Sequence, residues 1–320
     1  MTYELIIATP LLVLLILAVF RFTGCSSFSS APTPPTTVTG PPLVIAPPDT
    51  PPPVPTDTYQ DIISKTPGFA ALWPLNEMSG TNQAKVVGPL AGMADGTYTA
   101  RPPATPGTGY SVGVSGLQFP KVMDDRAGAF DGSVAFIEVQ FNPILNPSKT
   151  VPGFTVELWA KPNPAVGGPT QVLVSSHRFD SAGVQQGYEI ALIKGGQQIQ
   201  QVRGRVFANG AMGTATVQAL AGGAADWRHI VLTWELSQTL GPIVSVQVRL
   251  AGQGTFKDGP HGGPYEAVTA AKPSSLWFAA GHGVGQVPEN LYYGVIDNVA
   301  FYNGVLSQAE IDKHFALLTP

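Results

Sequence analysis

The chain has 320 residues with 36 Gly and 31 Pro, only 12% charged residues and a net charge of -4. Its 17 Lys+Arg are scattered, so no basic stripe exists to track phosphates, which argues against nucleic acid as a partner. One cysteine, Cys25, allows no internal disulfide, and a turn-rich chain poor in charge suits an all-β domain resting on its own apolar core.

Leu5 to Phe20 is almost wholly apolar and uncharged. At ~1.5 Å per residue it falls slightly short of a ~30 Å hydrocarbon core, so it reads as a signal h-region or a short anchor. The following Arg21-Phe22-Thr23-Gly24-Cys25 resembles the lipobox of bacterial lipoproteins, and that resemblance implies acylation of Cys25. Three features depart from the family. Glu4 is the only side-chain charge before the apolar run, Phe22 stands where Leu is preferred, and Arg21 follows the run, where the positive-inside rule would hold it in the cytoplasm. The alternative is an uncleaved membrane anchor. Either way residues 1–25 place the protein on a membrane of a bacterial cell envelope, facing the periplasm or the exterior. Residues 26–58 are a Pro/Ser/Thr-rich linker too poor in apolar surface to offset chain entropy, and are expected to be disordered. In polyproline II form about 30 such residues reach ~90 Å. Residues 59–320 are the expected folded domain.

Tyr59 to Lys65 reads as a short helical lead-in, and the alternation of Phe69, Ala71 and Trp73 as an edge or opening strand, where Pro74 is tolerated because an edge need not donate every hydrogen bond. Asp95-Gly96 is a turn before a short strand, residues 99–125 a Pro/Gly-rich surface excursion, and Asp131-Gly132 a turn before the strand Ala135 to Val139. The strongest strand is Pro152 to Pro162. Phe154, Val156, Leu158 and Ala160 share one face, and Thr155, Glu157, Trp159 and Lys161 the other. An acid, an indole and an ammonium on that second face make it the first place to look for a binding surface. Gln171 to Ser176 is another strand. Tyr188 to Lys194 and Gln197 to Phe207 flank Gly195-Gly196 as a hairpin. Trp227 to Glu235, Val244 to Leu250, Ser275 to Gly281 and Gly294 to Tyr302 complete roughly ten to twelve strands. Ser307 and Glu310 form a capping box, Leu306 and Ile311 a hydrophobic staple, and Phe315 and Leu318 continue the apolar face of a C-terminal helix.

Six segments then stand in an order that resembles the laminin-G-like jelly-roll domains of the concanavalin A-like lectin/glucanase superfamily. They are Ala71 to Thr81, Asp95 to Tyr98, Phe130 to Gly132, Phe154 to Trp159, Trp227 to Trp234 and Ile296 to Ile311. The resemblance spans about residues 66 to 318. It implies an all-β sandwich of two antiparallel sheets, one concave, with a short C-terminal helix. It also implies a structural calcium, with Glu77, Asp95, Asp131 and Asp297 at the matching positions. Asp95 and Asp131 each precede Gly and are equally explained as turn residues bonding their own backbone.

The superfamily contains glucanases, but a glycosidase needs two carboxyl groups ~5–9 Å apart. The outward side of the Pro152–Pro162 strand offers one acid, Glu157, with no partner two or four residues on, and the five histidines form no hydrolase spacing. The expected function is therefore a non-catalytic carbohydrate-binding module. Aromatic faces and a few polar groups hold sugars, and the candidates are Glu157, Trp159, Arg249, Trp277 and His177. The alternative is an adhesive or structural surface domain that meets an extracellular protein, for which an apolar patch over Tyr110 to Phe119 would speak. Glycoside hydrolysis is the remaining alternative.

Overall fold

The computed structural model describes residues 58–105, 107–118, 125–163, 165, 167–196, 198–218, 226–250 and 254–317. The apolar run, Cys25, the linker and Leu318 lie outside the described residues. Among the described residues no helix is long and apolar enough to cross a membrane.

The chain opens with α1 (Tyr59–Ser64), capped by Thr58, whose side chain accepts from the Asp61 amide. Then follow β1 (Phe69–Trp73), β2 (Gln83–Ala84), β3 (Gly96–Ala100), β4 (Tyr110–Ser115), β5 (Arg126–Asp131) and β6 (Ala135–Val139). After a single 3-10 turn come β7 (Gly153–Pro162), β8 (Thr170–Ser175), β9 (Arg178–Phe179), β10 (Gln185–Gly195), β11 (Gln198–Ala208) and β12 (Ala211–Gln218). The last third holds β13 (Arg228–Ser237), β14 (Gly241–Leu250), β15 (Gly254–Gly262), β16 (Leu276–Phe278), β17 (Gly281–His282), β18 (Pro288–Glu289), β19 (Tyr293–Tyr302) and α2 (Gln308–Ala316).

Two antiparallel sheets stack face to face. The eight-stranded sheet runs β15-β14-β13-β7-β19-β5-β4, with β1 also on β19. The nine-stranded sheet runs β12-β11-β10-β8-β16-β6-β3-β2, with β9 also on β10. The core between them is built by alternation. Phe154, Val156, Leu158 and Ala160 of β7 face Tyr188, Ile190 and Leu192 of β10 in one buried cluster, together with Ile230, Leu232, Trp234, Val244, Val246 and Val248. Gly204 of β11 permits the closest approach of the two layers: a Cβ there would lie 2.4 Å from Leu232 Cδ1.

Three stretches differ from their sequence reading. The 99–125 excursion contains β4, which pairs with β5 at the sheet edge, and residues 254–262, given no strand in the sequence reading, form β15, which pairs with β14. Between Ala208 and Ala211 a two-residue turn, Asn209-Gly210, with φ of 34° and 89°, leads into β12. This Asn-Gly pair is the strongest short hairpin signal in the chain.

The outer face of β7 is also closed, which corrects the expectation of a solvent-facing binding surface there. Glu157 and Trp159 are both 0% exposed. The two helices, one from each end of the domain, lie over them in a second apolar cluster with Tyr59, Ile63, Leu306 and Ile311. Glu157 sits at the centre. Its carboxylate accepts from Tyr59 Oη at 3.2 Å and Tyr302 Oη at 2.9 Å. His229 Nε2 lies 2.6 Å away and His314 Nδ1 2.9 Å away. Trp159 Nε1 donates to Tyr59 Oη at 3.1 Å, and the indole stacks on Phe315. Alternation shows that Glu157 and Trp159 share a face. It does not show that α1 and α2 cover it.

Burial alone would raise the Glu157 carboxyl, but His314 and His229 beside it hold it well below its ordinary value of 4.5. A lowered folded-state pKa stabilises the protein above pH ~4.5 and ceases to do so as pH falls through it. Glu157→Gln is expected to cost about 3 kcal/mol at neutral pH, because it breaks a buried pair from one side. Tyr302→Phe is expected to cost about 1 kcal/mol. Urea unfolding of the full-length protein at pH 7 and pH 4 measures both, with the Glu157→Gln penalty shrinking at the lower pH.

Candidate functional site

With that face closed, outward side chains remain on the nine-stranded sheet. The register sets Thr214 opposite Arg205, Arg205 opposite Glu189, Glu189 opposite Ser175, Ser175 opposite Trp277, and Trp277 opposite Glu138. Directly paired residues point to the same side of a sheet, so these six form one row across β12, β11, β10, β8, β16 and β6. Their neighbours along the strands, Val206, Ile190, Val174, Phe278 and Ile137, lie in the core. Phe207 and Arg203 flank Arg205 at two-residue spacing and share its face.

Aromatic rings line the row. His177 stacks on Phe207 with centroids 3.8 Å apart, and Arg205 lies 5.3 Å over the same ring. His282 stacks on Trp277 at 3.5 Å, and its Nδ1 is 3.0 Å from Ser175 Oγ. Glu189 accepts from Arg205 Nη2. Burial pulls His177 down to about 4, against the opposing pull of Glu189, and burial likewise holds His282 well below its usual range. Both imidazoles are therefore neutral at pH 7.

Buried polar atoms without a hydrogen-bond partner gather here. They are Arg203 Nε, Arg205 Nε, Thr214 Oγ1, His177 Nε2, His282 Nε2 and Trp277 Nε1. Native interiors rarely leave such groups unpaired, so a concentration of them beneath the half-exposed Arg203, Arg205 and Thr214 marks a place where a polar partner is wanted.

The five ligand candidates from the sequence separate into two groups. Trp277 belongs to this row and His177 stacks beside it on Phe207, both of them only 5% exposed. Glu157, Trp159 and Arg249 belong to the helix-covered face, where Arg249 pairs with Asp312 of α2 and lies 5.3 Å over Phe315. They do not form one site. Arg203, Arg205, Glu189 and Thr214 escape the sequence reading, although the alternation of Gln201, Arg203 and Arg205 with Val202, Gly204 and Val206 carries the signal.

The four carboxylates expected around a metal also separate. Asp95 pairs with Lys85 Nζ at 2.6 Å and accepts from the Val86 amide. Asp131 accepts from the Ser133 amide and hydroxyl, as a turn residue does. Glu77 accepts from the Lys85 amide at 2.7 Å and from Tyr98 Oη at 3.2 Å. Asp297 is fully buried and accepts from the Leu117 amide at 2.8 Å. Its strand is bulged there: the register shifts between Asp297 and Ala300, and Asn298 adopts φ 50°. The carboxylate that acts on Asp297 most strongly is Asp125, which the sequence reading passed over. Burial pushes Asp125 up to about 6, and burial plus the Asp125 charge raise Asp297 well above its usual range. Asp125 Oδ2 has no partner, and Asp125 lines a cleft of about 130 Å³ with Asn76, Asn298 and Tyr59. Among the described residues no three His, Cys, Asp or Glu side chains converge on one point. Two neighbouring buried carboxyl groups and one orphaned carboxylate oxygen nonetheless suit a hard cation, while the Asn76 amide nitrogen donates to Asp125 Oδ1 at 2.8 Å.

A family model described as the concanavalin A-like lectin/glucanases superfamily matches residues 137–312. The chain belongs to that superfamily. Three solved structures are similar to this superfamily member at low identity. Domain 4 of AbnA, a GH43 extracellular arabinanase from Geobacillus stearothermophilus, was solved in complex with arabinotriose. It is 14% identical at TM-score 0.47, over 78% of this chain and 99% of that one. The binding domain of botulinum neurotoxin DC in complex with SialylT is 12% identical at TM-score 0.47, over 80% of this chain and 52% of that one. The Ruminococcus gnavus IT-sialidase CBM40 bound to alpha2,3 sialyllactose is 11% identical at TM-score 0.38, over 51% of this chain and 82% of that one. This chain thus spans about half the length of the neurotoxin chain. A search of curated protein sequences returns no match.

In this superfamily member the Asp125–Asp297 pair has a pH consequence. A raised folded-state pKa stabilises the fold below the unfolded value of 3.8 and ceases to do so as pH rises, for Asp125 through about 6. Without divalent cations, Asp125→Asn is expected to raise the Tm of the full-length protein at pH 7.5. It is also expected to flatten the decline in Tm between pH 4 and 6. Differential scanning calorimetry across that range measures both.

Proposed function

We propose that the chain is a membrane-tethered, extracytoplasmic, non-catalytic carbohydrate-binding module, with its ligand on the outer face of the nine-stranded sheet. The observation that carries this reading is the stretch around the row from Thr214 to Trp277, where the half-buried Arg203, Arg205 and Thr214 stand beside the rings of Phe207, His177 and Trp277 and keep polar atoms without partners. Sugars offer apolar CH faces to rings and hydroxyls to polar groups, so such a surface is complementary to them.

Two features argue against catalysis in that row. Glu189 and Glu138 stand three strand spacings apart, which at ~4.8 Å each is about 14 Å. Paired glycosidase carboxyls stand within ~5–9.5 Å. Glu189 is moreover committed to Arg205, and Glu138 accepts from Ser275 Oγ at 2.7 Å. In the patch named for a protein partner, Tyr110 stacks on Tyr98 at 5.0 Å and Tyr110 and Val112 pack in part against the core, while Phe119 lies outside the described residues.

Residues 1–25 are the proposed membrane segment, through Cys25 acylation or an uncleaved anchor, and 26–58 the spacer. Calcium is the proposed structural ion. Asp125 and Asp297 would hold it, and it would neutralise the two buried carboxylates and tie β19 to the 116–118 segment.

A glycan array with the full-length protein tests the binding reading. Thr214→Val is expected to lower affinity for the best glycan about fivefold, as loss of one hydrogen bond would. Lys313→Ala, on α2 over the opposite sheet, is expected to match the wild type, and no reducing sugar is released. A blank array, or Thr214→Val binding as the wild type does, contradicts the reading. Calcium at millimolar level is expected to raise Tm, and Asp297→Asn to abolish that rise.

A further inference from the structure

At the β10–β12 end of this face the charges do not balance. Arg203 and Arg205 stand two residues apart on β11 and share its outer side, roughly 7 Å apart along the strand. Arg205 has a counter-charge, because Glu189 lies directly opposite it on β10 and accepts from its Nη2. Arg203 has none in register. Ala191 stands opposite it on β10 and Thr216 on β12. The charged groups that act on it are Arg205 and Glu189, and burial with the Arg205 charge lowers its pKa. His177 is neutral at pH 7 and adds no charge. Two guanidinium groups therefore share one carboxylate in a half-buried setting, where an uncompensated charge costs most.

The unpaired atoms point the same way. Arg203 Nε and Arg205 Nε can only donate, as can Trp277 Nε1, and Thr214 Oγ1 can donate or accept. A neutral sugar hydroxyl meets donors and acceptors alike. A surplus of donors beside an unbalanced guanidinium calls for a ligand that mainly accepts and carries negative charge. An oxyanion that offers two oxygens side by side also matches the guanidinium fork.

We infer that the glycan is acidic, and that Arg203 takes an oxyanion of the sugar, carboxylate or sulfate, with Arg205 and Thr214 beside it. The inference rests on the carbohydrate-binding reading and names its ligand class.

Isothermal titration calorimetry with the full-length protein tests it against an oligogalacturonate, a heparin-derived oligosaccharide and a neutral galactan oligomer. At least one acidic ligand is expected to bind about tenfold more tightly than the neutral one, and to weaken as salt rises, because exposed ion pairs are screened. The oligogalacturonate and heparin arms show whether carboxylate or sulfate is preferred. Arg203→Gln is expected to abolish that tenfold advantage, weakening the acidic ligand far more than the neutral oligomer, without lowering Tm, since the half-buried Arg203 charge has no carboxylate in register. If neutral and acidic ligands bind alike, or Arg203→Gln keeps the preference, the acidic assignment fails while carbohydrate binding stands. If none of the three binds, both fail.

Discussion

The Glu157 carboxylate has no contact with water, and groups from four elements converge on it: Tyr59 of α1, His229 of β13, Tyr302 of β19 and His314 of α2. A buried carboxylate is tolerated only when paired and fully hydrogen-bonded. Meeting that demand fixes both helices on the eight-stranded sheet. His314 carries the constraint further, since its Nε2 lies 2.9 Å from Thr66 Oγ1, just after α1. The first and last helices of the domain are thus held to one charge, and one face of the sandwich is withdrawn from solvent.

What remains open follows from that closure. On the nine-stranded sheet the inward positions carry the apolar core, so the outward positions are free to hold polar groups without loss of packing. The row from Thr214 to Glu138 uses that freedom unevenly. Near β16 and β6 it is aromatic and packed, with Phe136 and Trp277 in a small buried cluster. Near β11 and β12 it is cationic, half-exposed and short of acceptors. Polarity and charge are thus concentrated at the β10–β12 end, and specificity is expected to reside there.

Much of the fold was legible in the sequence because two-residue periodicity reports burial directly. Phe154 to Ala160, Ile230 to Trp234 and Val244 to Leu250 all face the core as their alternation requires. The capping box at Ser307 and Glu310 and the staple of Leu306 and Ile311 are present as written. The strands β4, β12 and β15 were not legible in the same way. They are rich in glycine or polar residues and lie at sheet edges, where alternation is weak. The candidate site was only half legible. An acid and an indole on one strand looked like a binding surface, yet what covers a face is decided by elements about 100 and 157 residues away in the chain. The arginines of β11 gained meaning only once register had set Glu189 against one of them and Ala191 against the other. Asp125, likewise, becomes notable only when the bulge in β19 brings Asp297 beside it.

The most direct test of the account is which face of the sandwich a bound glycan protects. Hydrogen–deuterium exchange of the full-length protein, with and without a saturating acidic oligosaccharide, measures it peptide by peptide. The account predicts slower exchange in Gln198–Ala208 and Ala211–Gln218, with Gln308–Ala316 and Arg228–Ser237 unchanged. Protection confined to the helix-covered sheet would contradict it, and would place the ligand on the side that Glu157 closes.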